Sequence, residues 1–283
     1  PEQSNPNEAR NPVIDRIHHV GIVVHSADDA LGFFRDTLGL TVTEDRVVEE
    51  QGVRGVLLAL GENEIELLEP TRDDTGVARF LQSRGQTLHH ICFNTDDVAG
   101  ELNRLKAAGV ELIDETPRDG LAGKIGFLHP KSMHGVLVEL ATPPAGAHVS
   151  HDKGFDHLAV TVADYAAARQ TWKANIGLDV TNEIRVEDRG MLIGQMPSGQ
   201  CMIELITPLG PDSPMAKRIE EQGERASSMV AIEVQDIDAE VAKYRGKGLE
   251  LPDPAAGALP NSRTSTISAE QAFGLAIQLI QFD

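Results

Sequence analysis

Four side chains of metal-binding type occupy equivalent places in four short apolar stretches of the sequence. They are two histidines and two glutamates: His19 in HVGIVV, Glu66 in IELL, His90 in HICF and Glu139 in VLVELA. Imidazole nitrogens and carboxylate oxygens suit a divalent ion of the Co, Mn, Fe, Ni or Zn type, and four such ligands leave coordination positions open in an octahedral site. Substrate oxygens would bind at those open positions.

Side-chain alternation along a strand places these four residues on one kind of surface. Successive side chains of a strand point to opposite faces of its sheet. In HVGIVV the valine and isoleucine side chains form an apolar face, and His19 lies on the other face. The same parity applies to Glu66, His90 and Glu139. One such residue alone is better explained as a solvated polar group, but four at matching parity favour a site.

Each histidine of this set follows another histidine. Parity turns His18 and His89 toward the packing side, and two successive strand side chains are not expected to point the same way. His90 is therefore the preferred ligand of the second pair, and His89 is the alternative.

An internal repeat supplies the elements that would position these residues. FDHLAVTVAD at residues 155–164 resembles IHHVGIVVHSAD at residues 17–28, and the spacing from His19 to His157 equals that from Glu66 to Glu204. Each copy divides again into two units, in which a strand leads to an Asp-led helix, a glycine and three further strands. Asp97 is one of the expected helix caps. We predict an α+β fold of four βαβββ units that form two tandem domains.

The second copy is expected to lack a metal site. Ser228 and Met229 align with the second histidine pair, and Gln278 aligns with Glu139. All ten histidines lie at or before His157, so no two-imidazole site can form after it. We therefore predict a flexible arm at residues 1–12, a metal-binding domain at 13–145 and a degenerate domain at 153–283.

Composition excludes several classes of partner. The formal net charge of −19 argues against nonspecific binding to nucleic acid or to an anionic membrane, because both need clustered cations. The sequence has no apolar run near the ~18 residues of a membrane span. Two cysteines, Cys92 and Cys201, are too few for a disulfide framework and indicate a cytoplasmic protein. A local patch could still bind an anionic small molecule, and five cations cluster in sequence near the candidate site: Arg104, Lys106, Arg118, Lys124 and Lys131.

Residues 14–141 resemble the methylmalonyl-CoA epimerases of the vicinal oxygen chelate superfamily, which includes glyoxalases, bleomycin-resistance proteins and dioxygenases. The resemblance rests on IHHVGIVV, on EEQGV followed by IELLEP, on LHHICF and on FLHPKSMHGVLVEL. The second half resembles the superfamily more loosely. The resemblance implies metal ligation by His19, Glu66, His90 and Glu139.

The resemblance also implies a reaction. Epimerisation removes the α-proton of an acyl-CoA and stabilises the enolate with the metal. Glu139 is the first candidate for the base. An acidic residue assigned as a base in some epimerases aligns with Gly55, so the second role would fall to Glu49, its neighbour Glu50, Glu66 or no residue. Lys131, in HPKS, is a candidate for contact with the substrate carboxylate or a phosphate.

Other functions remain open on the same fold. A glyoxalase-type isomerase uses the same four ligand types with a glutathione adduct, a ring-cleaving dioxygenase would need its site in the second half, and a binding or resistance protein would only sequester a small molecule. The resemblance implies a monomeric pseudo-dimer or a homodimer, since many epimerases of this type are about half this length and pair as dimers.

Overall fold

Two eight-stranded sheets account for all sixteen strands of the computed structural model, which describes residues 14–144 and 154–283. The predicted arm at residues 1–12 and the boundary between the predicted domains lie outside the described residues. The first sheet has the order β2-β3-β4-β1-β5-β8-β7-β6 and the second the order β10-β11-β12-β9-β13-β16-β15-β14. The strands of the first sheet are β1 Ile14–Val23, β2 Thr41–Val48, β3 Val53–Leu60, β4 Asn63–Pro70, β5 Thr87–Thr95, β6 Arg118–Gly120, β7 Gly123–Leu128 and β8 Val138–Thr142.

The second sheet repeats this order with the strands β9 Gly154–Thr161, β10 Asn182–Val186, β11 Met191–Ser198, β12 Cys201–Pro208, β13 Arg225–Glu233, β14 Ala255–Ala256, β15 Ser262–Ile267 and β16 Ala276–Phe282. The helices are α1 Ala27–Leu31, continued by a π-helical turn at Gly32–Thr37, α2 Gly76–Arg84, α3 Val98–Ala107, α4 Tyr165–Ile176, α5 Pro214–Gln222 and α6 Ile237–Gly246. Four βαβββ units therefore build two sheets, as the repeat predicts. In the part of the chain that the structure describes, no helix has the length and apolar character needed to cross a membrane.

Side-chain caps fix where the helices begin. Asp97 accepts a hydrogen bond from the backbone N–H of Gly100 and caps α3, and Asp236 caps α6 in the same way. The expectation of an Asp cap is wrong for α1, where the hydroxyl of Ser26 accepts from the N–H of Asp29. Both serine and aspartate satisfy the exposed N–H groups of a first turn.

One continuous hydrophobic core joins the two halves. It contains the helix-facing side chains of both sheets and the apolar faces of α1, α3, α4 and α6. Phe93 of β5 contacts Trp172 of α4 edge to face, with ring centroids 6.2 Å apart. Across the same boundary, Arg104 donates a 2.7 Å hydrogen bond to the carbonyl of Asn175. The halves are thus expected to unfold together.

This shared core predicts a destabilised Phe93→Ala variant. Removal of the fully buried ring leaves a cavity and should lower the free energy of unfolding by about 3–5 kcal/mol. Trp172 is the single tryptophan, so its fluorescence reports the second half while circular dichroism reports both. In urea, both signals should shift to the same lower midpoint, and Phe93→Leu should shift them less. Two separate transitions would contradict a common core.

Candidate metal centre

The four predicted ligands lie on the four central strands of the first sheet. The backbone of Gly21 on β1 pairs with Glu66 on β4 and with His90 on β5, and Cys92 on β5 pairs with Glu139 on β8. Because β4, β1, β5 and β8 are adjacent, the side chains on the face opposite the helices converge on one point. The parity argument from the sequence placed these four residues on that face.

The donor atoms of this cluster are close enough to surround a single ion. One ligand atom from each of His19, Glu66, His90 and Glu139 lies within 4.8 Å of the other three. The Nε2 atoms of His19 and His90 are 2.9 Å apart, and Nε2 of His90 lies 2.9 Å from Oε2 of Glu139. Nε2 of His90 also lies 3.4 Å from Oε2 of Glu66.

Burial makes a cation the natural occupant of this cluster. All four residues are at most 5% exposed. Buried carboxylates are costly without a compensating positive charge, and two imidazole lone pairs facing each other at this distance need a proton or a cation between them. Two imidazoles and two carboxylates match the preferences of Zn, Fe, Co, Mn or Ni, so the residues fit the predicted divalent ion.

The surrounding charges of the cluster keep the Glu139 carboxylate ionised, the form that can bind a cation. Burial by itself raises the pKa of Glu139, but the charge of His90 and the hydrogen bonds from His19 and His90 outweigh burial and lower it. For His19 the balance is similar: burial lowers the pKa, while Cys92, Glu66 and Glu139 raise it further than burial lowers it. The carboxylate of Glu139 is therefore ionised at neutral pH.

Glycine at position 21 makes room for one of the ligands. A Cβ atom built on Gly21 would lie 2.2 Å from Cε1 of His90. No side chain fits there while the imidazole keeps its place. The glycine in HVGIVV is therefore part of the site, although it contributes no ligand atom.

Two β-bulges between β1 and β5 hold the histidines that precede the ligands. Ile17 pairs with Phe93 and His19 with Cys92, which leaves His18 as the extra residue. Gly21 pairs with His90 and Ile22 with Leu88, which leaves His89 as the extra residue. A bulge redirects side chains from simple alternation. The expectation that His89 faces the packing side is wrong for this reason, because His89 lines the site cavity.

Each bulged histidine contacts the ring of the ligand that follows it. Nδ1 of His18 lies 2.8 Å from Nδ1 of His19, and Nδ1 of His89 lies 3.1 Å from Nδ1 of His90. Burial, together with the charge of His90, lowers the pKa of His89 to about 3, so its ring is neutral. For Nε2 of His90 to bind a cation, its proton must sit on Nδ1, and Nδ1 of His89 is placed to accept it. Each histidine pair thus combines a candidate ligand with a residue placed to orient it.

A second group of potential ligands overlaps the first. Ligand atoms of His18, His19 and Cys92 also lie within 4.8 Å of one another. Burial, the largest effect, raises the pKa of the Cys92 thiol to about 12. A protonated thiol is a poor ligand, and Nδ1 of His18 is engaged with His19. The cluster with two carboxylates is the better site.

The cluster opens into a cavity of about 330 Å³. Glu66, His90 and Glu139 line its polar end, and His19 is buried beneath them. Arg118 also lines the cavity; its guanidinium stacks 5.3 Å from the centroid of Phe127 and donates to Asp114. The remaining wall is mainly apolar: Val53, Leu68, Val77, Phe80, Leu121, Ile125 and Leu137. The cavity can therefore hold an apolar substituent close to a metal and one cation.

Two further residues singled out in the sequence lie away from the cluster. Glu49 is exposed in the turn between β2 and β3, two positions before Gln51, which lines the cavity. Lys131 is exposed in the short turn Pro130–Ser132 and lines neither this cavity nor the neighbouring cleft described below. Their catalytic and substrate-binding roles stay predictions. Of the five cations near this region in sequence, Arg118 is the one that lines the cavity among the described residues.

Helix α2 covers the cavity with Val77 and Phe80 and was not predicted from the sequence. The helix begins at a Thr75 cap, whose hydroxyl accepts from the N–H of Ala78. The ring of Phe80 packs edge to face on His89, with centroids 4.7 Å apart. The threonine ahead of GVARFLQSR was the available signal.

The second half keeps the frame of the site and only two of its four ligand-type side chains, His157 and Glu204. His157 lies 3.9 Å from Glu204, and Asp156 hydrogen-bonds Nδ1 of His157 from the bulge position equivalent to His18. The strand pairing of Met229 with Ala276, and of Ala231 with Gln278, places Met229 where the first sheet has His90. The alignment made from the sequence is therefore consistent with the strand register.

Fold and site together define the class of protein. The sequence profile of the Glyoxalase/Bleomycin resistance protein/Dioxygenase superfamily matches residues 18–128 and 132–264, and the chain belongs to this superfamily. A triple mutant of 4-hydroxymandelate synthase from Streptomyces coelicolor matches 95% of this chain and 93% of its own, with a TM-score of 0.74 and 18% identity. At that identity the likeness shows the two-domain fold alone.

Relatives of higher identity match about half of the chain. The methylmalonyl-CoA epimerase of Dictyostelium discoideum is 38% identical over 129 residues, 45% of this chain and 78% of its own. The ethylmalonyl-CoA/methylmalonyl-CoA epimerase of Cereibacter sphaeroides is 36% identical over 131 residues, 45% of this chain and 98% of its own. The uncharacterized protein YqjC of Bacillus subtilis is 40% identical over 140 residues, 49% of this chain and all of its own. Half of the chain thus resembles acyl-CoA epimerases.

The two halves offer a matched test of metal binding. Titration calorimetry with Co²⁺ should give one site per chain. His90→Ala should weaken binding at least about 100-fold, because even residues that only orient ligands are worth roughly 10- to 100-fold. His157→Ala, which removes the counterpart of His19 on the second sheet, should leave the affinity unchanged. Two sites per chain, or equal effects of the two variants, would place the metal elsewhere.

The bulged histidines predict an orienting effect. His89→Ala should weaken Co²⁺ binding roughly 10-fold, since the acceptor for Nδ1 of His90 is lost. His89→Asn, whose amide oxygen can accept the same hydrogen bond, should restore most of the affinity. The d–d absorption spectrum of the Co²⁺ protein would report a disturbed ligand in the alanine variant and not in the asparagine variant. Equal losses in both variants would show that His89 only fills space.

Proposed function

We propose that this protein is a metal-dependent epimerase of methylmalonyl-CoA or of a similar 2-substituted acyl-CoA. The observation that carries the proposal is the cluster of His19, Glu66, His90 and Glu139 at the polar end of a mainly apolar cavity. The similarity of the first half to acyl-CoA epimerases supports it. In this proposal the reacting carbon lies between a thioester and a carboxylate.

The side chains of the cavity suit such a substrate. His19, Glu66, His90 and Glu139 would hold the ion, which when bound supplies Lewis-acid stabilisation of negative charge on substrate oxygens. Arg118 presents its guanidinium in the same cavity and would pair with the substrate carboxylate. The apolar wall would contact the 2-substituent and exclude water.

Two carboxylates of the cavity are candidates for proton transfer. Glu139 is ionised and lies at the cavity end, so it would accept the α-proton. Inversion then needs a proton donor on the opposite face of the carbon. At Gly55 no side chain is available, and a Cβ there would lie 3.5 Å from Oε1 of Glu66. Glu66 would be this donor, and Glu49 is the alternative from the neighbouring turn.

The competing functions have less support. A ring-cleaving dioxygenase with its site in the second half would need two histidines there, and His157 is the last histidine of the sequence. A glyoxalase-type isomerase would use the same ligand types on a glutathione adduct, but the epimerases that resemble this chain are named for CoA thioesters. A purely sequestering protein would not need a complete ligand set.

The direct test is exchange of the α-proton. The metal-loaded protein, incubated with methylmalonyl-CoA in deuterated water, should incorporate deuterium at C2, as followed by mass spectrometry. His90→Ala should slow incorporation at least about 100-fold in line with its loss of metal, and His157→Ala should not. Absence of exchange by the metal-loaded wild-type protein would disprove the proposed reaction.

A companion experiment separates the two candidates for the second proton transfer. Glu49→Gln keeps the size of the side chain and removes its charge. If Glu66 acts as the second group, Glu49→Gln should keep both deuterium exchange and formation of the opposite enantiomer, as measured by chiral chromatography. Continued exchange with loss of inversion in Glu49→Gln would instead assign the second transfer to Glu49.

A further inference from the structure

A cleft of about 500 Å³ between the two halves leads away from the metal cluster. His89 and His90 line its buried end and also line the site cavity. Arg84 of the first half and Arg225 of the second half line its exposed end. The cleft thus connects the proposed reaction centre with a surface to which both halves contribute.

Hydrogen bonds between β5 and β13 hold the walls of the cleft together. The hydroxyl of Ser228 accepts a 2.7 Å hydrogen bond from the N–H of Leu88 and lies 2.5 Å from the hydroxyl of Thr87. All three residues line the cleft. Half-buried hydrogen bonds of the Ser228 side chain therefore join the two walls of the cleft.

The exposed end of the cleft concentrates positive charge. Burial, and then the charges of Arg218 and Arg84, lower the pKa of Arg225, so each of these two guanidiniums lies close enough to Arg225 to repel it. Among the residues that the structure describes, none of the three has a carboxylate partner. In a chain of net charge −19, such a group of cations is unexpected unless it meets an anion.

The one acidic side chain that lines the cleft is already engaged. Oε2 of Glu224 lies 2.7 Å from Nδ1 of His134, and Oε1 accepts a 2.6 Å hydrogen bond from the N–H of Ala163. Glu224 therefore ties the first half to the second and does not neutralise Arg225.

The separation of the two ends defines the ligand. His90 and Thr87 are three residues apart on β5, so the cleft extends about 10 Å along the strand before it reaches the arginines. A small carboxylate bound at the metal cluster cannot span this distance, whereas a thioester on a long arm that ends in phosphates can. Guanidinium groups bind phosphate oxygens with paired hydrogen bonds.

We infer that this cleft binds the phosphate-bearing arm of the acyl-CoA and that Arg84 and Arg225 contact its phosphates. The inference rests on the proposed function for the identity of the acyl group. It assigns a role to the second half, which supplies Arg225, Ser228 and one wall of the cleft.

The first test is binding of CoA itself, measured by calorimetry. CoA should bind with micromolar or better affinity only if its phosphates are held. Arg84→Gln and Arg225→Gln should each weaken binding about 10-fold, as expected for a charged hydrogen bond. Lys217→Gln removes one charge from α5 outside the cleft and is the matched control, with an expected change below about twofold. Pantetheine, which lacks the phosphates, should bind equally weakly to all four proteins.

The second test divides the effect between binding and chemistry. With methylmalonyl-CoA, Arg225→Gln should raise KM about 10-fold for deuterium exchange and leave kcat nearly unchanged. With methylmalonyl-pantetheine, the variant and the wild type should have the same KM. A fall in kcat with both substrates would show a general disturbance of the site and overturn the inference.

The results of these experiments distinguish failure of the cleft inference from failure of the epimerase proposal. If the wild type exchanges the proton but the arginine variants bind CoA normally, the cleft inference fails and the epimerase proposal stands. If the wild type exchanges no proton but CoA binding depends on Arg84 and Arg225, the epimerase proposal fails and the cleft inference stands. Binding of inorganic diphosphate as tight as that of CoA would show a site for free phosphate and would overturn the assignment to the CoA arm.

Discussion

The burial of two carboxylates and two imidazoles around one point is the constraint on which the rest of this structure depends. An unpaired buried charge costs several kcal/mol, so the four groups are tolerated only because each faces an opposite charge or a shared ion. Four adjacent strands must therefore keep a fixed register, since a slip by one residue would turn every ligand into the core. The apolar residues on the opposite faces secure that register by packing on the helices.

The sequence was sufficient to predict which four side chains cluster and insufficient to predict their surroundings. Strand parity placed His19, Glu66, His90 and Glu139 on one face because alternation is a local property of the backbone. The positions of His18 and His89 depend on bulges, which arise from the pairing of two strands and leave no mark in either strand alone. Parity could not anticipate that each bulged histidine contacts the ring of its neighbour.

The helices show the same division between local and distant information. Asp97 identified its helix, because a cap is a contact with a residue three positions away, and Asp236 caps α6 by the same contact. The cover of the cavity by α2 and the shared position of Arg84 and Arg225 in one cleft depend on how distant segments pack. The repeat did predict that two sheets form, but only the packed structure shows that the second half borders the cleft beside the site cavity.

The second sheet keeps the strand order of the first and differs from it both in the ligand-type residues and in a residue that makes room for them. Asp156 still occupies a bulge and still orients His157, but Ala159 pairs with Glu204 in the place where Gly21 pairs with Glu66. Since any Cβ at Gly21 would collide with the ring of His90, the methyl group of Ala159 fills the space that a second imidazole would need. A histidine at position 229 alone could not rebuild the metal site, because the position of the glycine is as necessary as the ligand itself. The second copy has thus lost the site in its structural support as well as in its ligands, and its contribution to the proposed reaction comes through the wall that it presents to the first.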